Sequence, residues 1–258
     1  MTQRPDRPDA QRFSDEEVAR YARQLVLSEI GGPGQQALRR ARVLIVGMGG
    51  VGNPAALYLA AAGVGTLGLV DDDAVAVSNL QRQIAFTGRD VGRSKVEAGA
   101  ERLTALNPHV EIEVIAARLT AENARSVVER FDVVLDGVDD FETRLIVNEV
   151  CVAAGKPLVS GALGRWNGQV GVFTGRPCYQ CLVPEAPPDA ETCARVGVVG
   201  ALAGVVGAMT ALETIKLITG AGEPLTGRLM LYDGLAGTSR VAKVAADPAC
   251  PVCGSAPA

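Results

Sequence analysis

Apolar and polar residues change their period twice along this chain, and those changes mark out its elements. Val43–Val46 is a run of four apolar residues that predicts a buried strand, and Thr66–Asp71 predicts a second that ends on an acid. Between them Pro54–Ala62 is almost wholly small or aliphatic and predicts a helix. Ahead of this unit Ser14-Asp15-Glu16-Glu17 forms a capping box, and Val18, Tyr21, Leu25 and Val26 follow at helical spacing. Gly31-Gly32-Pro33-Gly34 is expected to end that segment, leaving a short helix over Gln35–Arg40. Downstream the pattern predicts a helix from Gly92-Arg93-Ser94-Lys95 to Leu106, closed by Asn107-Pro108. A strand over Glu111–Ala116, a helix over Thr120–Arg130, a strand over Asp132–Asp136 and a helix from Phe141 follow. Alternation then gives way to paired strands, at Pro157–Ser160 and Gln169–Thr174, and to a hairpin of Arg228–Asp233 with Thr238–Val244 around Gly234.

The longest uncharged run, Val196–Leu212, is apolar all round, dense in Gly and Ala, and slightly short for a membrane span. It reads as part of a helix that continues to about Thr219 and is buried in the protein or in a subunit interface. Strands alternating with helices and then pairing among themselves give an α/β class, a Rossmann-like mostly parallel sheet extended by antiparallel strands. Residues 14–254 are expected to form one domain behind a disordered tail of residues 1–13.

The first strand is followed by Gly47, Gly49, Gly50 and Gly52, a G-x-G-x-x-G turn leading into a helix. Such a turn lets the backbone approach phosphates, and the helix N-terminus offers free N–H groups with a partial positive charge. Asp71, ending the second strand, is placed to accept hydrogen bonds from ribose hydroxyls. The glycines alone do not choose between a dinucleotide and ATP.

Composition narrows the chemistry. The 258 residues carry a net charge of −4, with a pI near 5.2, which argues against a nucleic-acid partner; no basic run suggests a membrane surface. The opening residues lack the apolar core of a signal peptide, so the expected location is the cytoplasm. Of six cysteines, Cys178/Cys181 and Cys250/Cys253 form two Cys-x-x-Cys pairs. Without a secretory signal these read as a four-thiolate Zn²⁺ site clipping the C-terminal segment to a distant loop. Cys151 reads as a core residue and the single histidine, His109, as a surface one.

Three further features cluster around the expected carboxyl edge of the sheet. Ser78, Asn79, Leu80, Gln81, Arg82 and Gln83 follow the second strand, and Arg82 offers a planar fork suited to phosphate oxygens. Lys95 opens a helix, where a cation is electrostatically misplaced unless an anion shares the site. Asp139 and Asp140 lie just past the fourth strand. Asp139 is the Mg²⁺ candidate, whereas Asp140 either joins the site or caps the next helix.

Taken with Tyr21-Ala22-Arg23-Gln24, these residues resemble the ThiF/MoeB/HesA family, the bacterial relatives of ubiquitin-activating enzymes, with the MoeB-type adenylyltransferases as the nearest likeness. The resemblance covers Ser14 to Gly254. It implies a homodimer that binds ATP and Mg²⁺ and adenylates the C-terminal glycine of a ubiquitin-like sulfur-carrier protein ending in Gly-Gly. A sulfurtransferase or cysteine desulfurase would be a further partner. It also implies that Gly50, Asp71 and Ser78–Arg82 hold the nucleotide, and that Arg82 and Lys95 contact its phosphates. Asp139 is then the essential acid, Arg23 reaches the partner subunit's triphosphate, and the four thiols bind Zn²⁺ structurally. Cys193 stands where some relatives carry a cysteine that bonds covalently to the carrier. Two positions depart from the family pattern, Asp140 for the usual Asn and Ala22 for another Asn. Adenylation of a peptide or tRNA-linked carboxylate, and an NAD-dependent oxidoreductase, are the competing readings.

Overall fold

A computed structural model describes residues 12–185 and 197–254. The expectations for most of the N-terminal tail and for Cys193 therefore lie outside the described residues. An eight-stranded sheet in the order β3-β2-β1-β4-β5-β6-β7-β8 forms its centre. The strands are β1 (Arg42–Val46), β2 (Thr66–Val70), β3 (Glu111–Ile115), β4 (Val133–Asp136), β5 (Leu158–Gly164), β6 (Asn167–Phe173), β7 (Arg228–Asp233) and β8 (Thr238–Lys243). The first five run parallel, and β6, β7 and β8 add antiparallel to β5.

The central strand shows why four apolar residues in a row are needed. Val43 and Ile45 point into one core cluster, and Leu44 and Val46 into the other, so both faces of β1 are covered. Each such side chain contributes about 2 kcal/mol by leaving water. On the first face lie α2 (Gly31–Arg40), α3 (Gly52–Ala62), α4 (Lys95–Leu106) and α8 (Gly200–Thr219). On the second lie α5 (Ala124–Val128), α6 (Phe141–Ala153) and the single-turn α7 (Tyr179–Leu182). The capping box of α1 (Asp15–Leu25) is formed, with the Ser14 side chain and Glu17 exchanging bonds with each other's backbone.

Several boundaries differ from the sequence reading. The glycines at 31–34 open α2 rather than end the preceding segment, because Pro33 falls in the first turn, where no N–H partner is lost. The helix expected over Thr120–Arg130 shrinks to α5, since the Asn123 side chain takes the Thr120 N–H and makes a turn of the first residues. The strands near Pro157–Ser160 and Gln169–Thr174 are parts of one hairpin, β5–β6, turning at Arg165, whose φ is +53°. Their glycines hid the strand character.

α8 ends at Thr219, where the sequence places its end. By length and composition it is apolar enough to cross a membrane. Here Leu202, Ala203, Val206 and Ala211 are buried against the first face of the sheet. Its Glu213 and Lys216 pair at 2.7 Å, and Glu213 also accepts the Leu225 N–H. At Gly207 a Cβ would lie 2.4 Å from Pro54, so α3 and α8 meet almost backbone to backbone.

Candidate active site

From β1 the chain moves outward to β2 and β3, and from β4 it moves the other way. A crevice therefore opens between the carboxyl ends of β1 and β4, where open α/β sheets bind ligands. The glycine turn after β1 and residues 137–140 after β4 form its floor. Gly47 has φ +87° and donates its N–H to the Val70 carbonyl at 2.8 Å. Its own carbonyl sits 1.9 Å from where a Cβ on residue 52 would stand, so only glycine fits there. Gly137 donates to the Val46 carbonyl at 3.0 Å, and a Cβ on Gly137 would come within 2.8 Å of the Gly52 nitrogen. The two loops are thus in direct backbone contact.

Above this floor lies a cavity of about 420 Å³. Gly47, Gly49, Gly50, Asp71, Asn79, Arg82, Lys95, Asp139 and Asp140 all line it. Residues as far apart in the chain as Gly47 and Asp140, 93 positions, are brought to one space. Gly52, Ser78, Leu80 and Gln81 do not line it. Gly52 shapes the turn beneath. The Ser78 carbonyl accepts a bond from Arg82 at 3.0 Å, so it aims the guanidinium. Leu80 packs on the core, and the Gln81 carbonyl abuts the first residue of α8, where a Cβ on Gly200 would be 2.0 Å away. Arg23 is exposed on α1 and lies outside this cavity.

The charges around the cavity partner one another. Lys95 is almost fully buried, with its ammonium 2.6 Å from Asp73 and 3.7 Å from Asp71. The anion that makes a cation tolerable at this helix start is therefore a pair of neighbouring carboxylates, both on the cavity wall. Asp71 accepts N–H bonds from Met48 at 2.7 Å and Asp73 at 2.9 Å. Burial pushes its carboxyl up from the usual range, against the pull of Lys95 and these two donors. Asp140 caps α6 by accepting the Thr143 N–H at 2.7 Å and faces Arg118 at 3.4 Å. Much of its acceptor capacity is thus used within the fold. Asp139, one residue before, is exposed at the cavity, makes no hydrogen bond among the described residues, and offers the hard oxygens that suit Mg²⁺.

Sequence reading missed Arg118 and Arg144 as cavity residues, whereas Gln83 lines the cavity as the polar cluster after β2 suggests. Arg118 had no motif to mark it. Gln83 closes the Asn-Leu-Gln-Arg-Gln run, and its buried Oε1 has no partner among the described residues. Arg144 was visible as a charge entering an apolar helix. It is buried and paired with Asp136 at 3.1 Å.

The cysteine clip lies beside α6. Cys178, Cys181, Cys250 and Cys253 bring their sulfurs within 4.8 Å of one another, with Cys178–Cys250 at 3.7 Å and Cys181–Cys253 at 3.3 Å. A tetrahedral Zn²⁺ with bonds of about 2.3 Å needs sulfurs about 3.8 Å apart, so the set fits. Donors already point at two of the sulfurs: Asn148 Nδ2 at 3.6 Å from Cys178, and the Asp247 N–H at 3.4 Å from Cys181. Such bonds support thiolates and hold ligands in place. Cys250 is drawn down to about 7 even though burial opposes it, because backbone N–H groups of Cys253 and Val252 favour its thiolate. Burial pushes the Cys178 and Cys253 thiols up. Cys151, buried on the inner face of α6, is pushed up to about 12 by desolvation and is a core thiol.

Comparison with known proteins agrees with this geometry. Residues 21–252 match the model of the ThiF family. A sulfur carrier protein adenylyltransferase of Thermus thermophilus is 46% identical over 255 residues, covering 95% of this chain and 94% of that protein. The adenylyltransferase and sulfurtransferase MOCS3 of Anopheles gambiae is 47% identical over 95% of this chain; the chain spans 57% of that relative. Among solved structures, E. coli MccB superposes with a TM-score of 0.82 at 25% identity, over 92% of this chain and 72% of MccB. E. coli MccB with ATP superposes at 0.76 and 26% identity, over 86% and 68%. With its glycine turn, its cavity at the β1/β4 switch point and its matched length, this chain belongs to the ThiF family.

Proposed function

We propose that this chain is an adenylyltransferase that uses ATP to activate the C-terminal glycine carboxylate of a ubiquitin-like sulfur-carrier protein. One observation carries the reading: Arg82, Lys95 and Asp139 line a single cavity over the glycine turn, in a chain 46% identical to a named sulfur carrier protein adenylyltransferase. The carrier's carboxylate is already ionised at neutral pH, so it needs no base. Its oxygen bonds to the α-phosphorus of ATP while the bond from that phosphorus to the bridging oxygen breaks. Pyrophosphate leaves with the electron pair, and an acyl-adenylate remains. No proton has to move.

The chain's part is positioning and charge neutralisation. The N–H groups of the Gly49–Gly52 turn and Arg82 face the phosphates, and Lys95 exchanges its carboxylate partners for phosphate oxygens. Asp139 is the residue that would hold Mg²⁺, which when bound neutralises charge on the departing pyrophosphate. Cys178, Cys181, Cys250 and Cys253 would hold Zn²⁺ as a structural clip. Arg23, on α1 and away from its own chain's cavity, fits a role in the site of a second subunit. Exposed Tyr58 on α3 and Leu212 on α8 give two packed helices an apolar surface for such a dimer.

The test is ATP–pyrophosphate exchange. It is expected only with a carrier ending in Gly-Gly, and Asp139→Ala should lower it by about 10³-fold, the order expected for loss of a charge-stabilising group. Exchange that survives Asp139→Ala removes Asp139 from its role. Exchange supported by an unrelated peptide but not by the carrier would replace the acceptor.

A further inference from the structure

Between the nucleotide cavity and the cysteine clip runs one continuous set of buried groups centred on Arg144. Its Nη1 lies 2.8 Å from Ser160 Oγ and 3.1 Å from Asp136, and its Nη2 donates to the Gly161 carbonyl at 2.8 Å and to the Val138 carbonyl. Val138, in the floor, and Gly161, on β5, both line the cavity. The Val138 carbonyl belongs to the planar peptide that leads into Asp139, so the guanidinium fixes the backbone from which Asp139 projects. The guanidinium carbon also lies 5.8 Å from the centre of the Tyr179 ring, which reaches the edge of the same cavity.

Tyr179 is buried and sits inside the first Cys-x-x-Cys, between Cys178 and Cys181. Its N–H donates to Asn148 Oδ1 at 2.8 Å, while the same Asn148 amide donates to Cys178 Sγ. The Phe173 ring meets it edge-on at 5.6 Å. A buried ion pair with Asp136 would account for a charge inside the fold. It does not account for a fork whose remaining bonds go to two segments lining the cavity and which lies against the tyrosine of the cysteine knuckle.

We propose that Arg144 is a positioning residue through which the four-cysteine clip sets where Asp139 stands, so that metal in the clip and nucleotide in the cavity favour one another. This rests on the adenylation reading above. With the clip metallated, α7 is held and Tyr179 buttresses the guanidinium. With it empty, the knuckle relaxes and the Val138–Asp139 peptide loses its anchor. Coupling of two sites is reciprocal, so nucleotide must in turn retain the metal.

The experiment follows zinc loss from the full chain, loaded with Zn²⁺, into excess chromogenic chelator, with and without saturating ATP and Mg²⁺. For the wild type, nucleotide should slow the loss at least fivefold. In Tyr179→Leu and Arg144→Lys the slowing should fall below twofold, measured at ATP concentrations that calorimetry shows to be saturating for each variant. In exchange assays both variants should lose kcat at least tenfold while the KM for the carrier stays within threefold. A variant that keeps wild-type protection overturns the proposal, as does a wild type that binds ATP but gains no protection. A wild type that binds no ATP overturns the adenylation reading as well. If Arg144→Lys does not fold, Tyr179→Leu decides, since it leaves the Arg144–Asp136 pair in place.

Discussion

A methyl group at position 52 is the sharpest perturbation this site offers. In Gly52→Ala the new Cβ would stand 1.9 Å from the Gly47 carbonyl oxygen and 3.1 Å from Ile45 Cγ2. Backbone at that point cannot swing aside like a side-chain tip. To reach even 3.0 Å the Gly47 carbonyl must retreat by about 1.1 Å, and Gly47 is held by its bond to the Val70 carbonyl, with Val138 so close that a Cβ on residue 47 would meet it at 3.0 Å. Overpacking of this kind costs about 1–3 kcal/mol, and a displacement of about 1 Å in a positioning element lowers rate about 100-fold. Gly49→Ala and Gly50→Ala serve as internal controls. Their Cβ atoms would find Gly137 O at 3.8 Å, and Ala203 and Arg82 at 3.6 Å, which is ordinary contact. Urea unfolding should therefore show Gly52→Ala destabilised by about 2 kcal/mol and the controls by less than about 0.5 kcal/mol. Exchange should fall about 100-fold in Gly52→Ala. In the controls any loss should come from crowding of the nucleotide, and so appear in ATP affinity. A Gly52→Ala protein of wild-type stability and exchange would mean that the two loops do not touch as described, and the account of the floor would fail.

Other outcomes follow from the remaining geometry. If Arg23 serves the partner's site, Arg23→Ala and Asp139→Ala are each inactive alone. Mixed one to one and re-equilibrated, they should recover about a quarter of wild-type exchange, because half the dimers are mixed and half of their sites are intact; no recovery would keep Arg23 out of the partner's site. Zinc affinity should fall steeply with acid. Cys178 and Cys253 are raised and Cys250 lies near 7, so below neutral pH these ligands must give up protons to bind metal. With about three to four protons released, competition titrations should show affinity dropping about 10³-fold or more from pH 7 to pH 6, and a shallow dependence would argue against four thiolate ligands.

Much of the site was legible because its signals are local. Strand Val43–Val46, the glycine spacing and the capping box are each written in adjacent residues, and each appears within one or two positions of its expected place. Where a local signal competed with another, the reading slipped. Glycines at 31–34 looked like a stop and open a helix, and glycines in β5 and β6 concealed a hairpin. Asp140 left two options open in the sequence, and the Thr143 N–H resolves it as a helix cap that still lines the cavity.

By itself the sequence determined the period of each element, the backbone freedom at Gly47 and Gly52, and the stock of thiols, acids and cations available for chemistry. Only the tertiary structure decided which of these groups meet. Strand order puts the ends of β1 and β4 side by side, and that lateral adjacency sets Arg82, Lys95 and Asp139 on one cavity and lays Arg144 between Val138 and Tyr179. The physical reason is range. Turns, caps and periodicity depend on residues a few positions apart, whereas a buried guanidinium takes its partners from whatever segments the sheet brings within 3 Å.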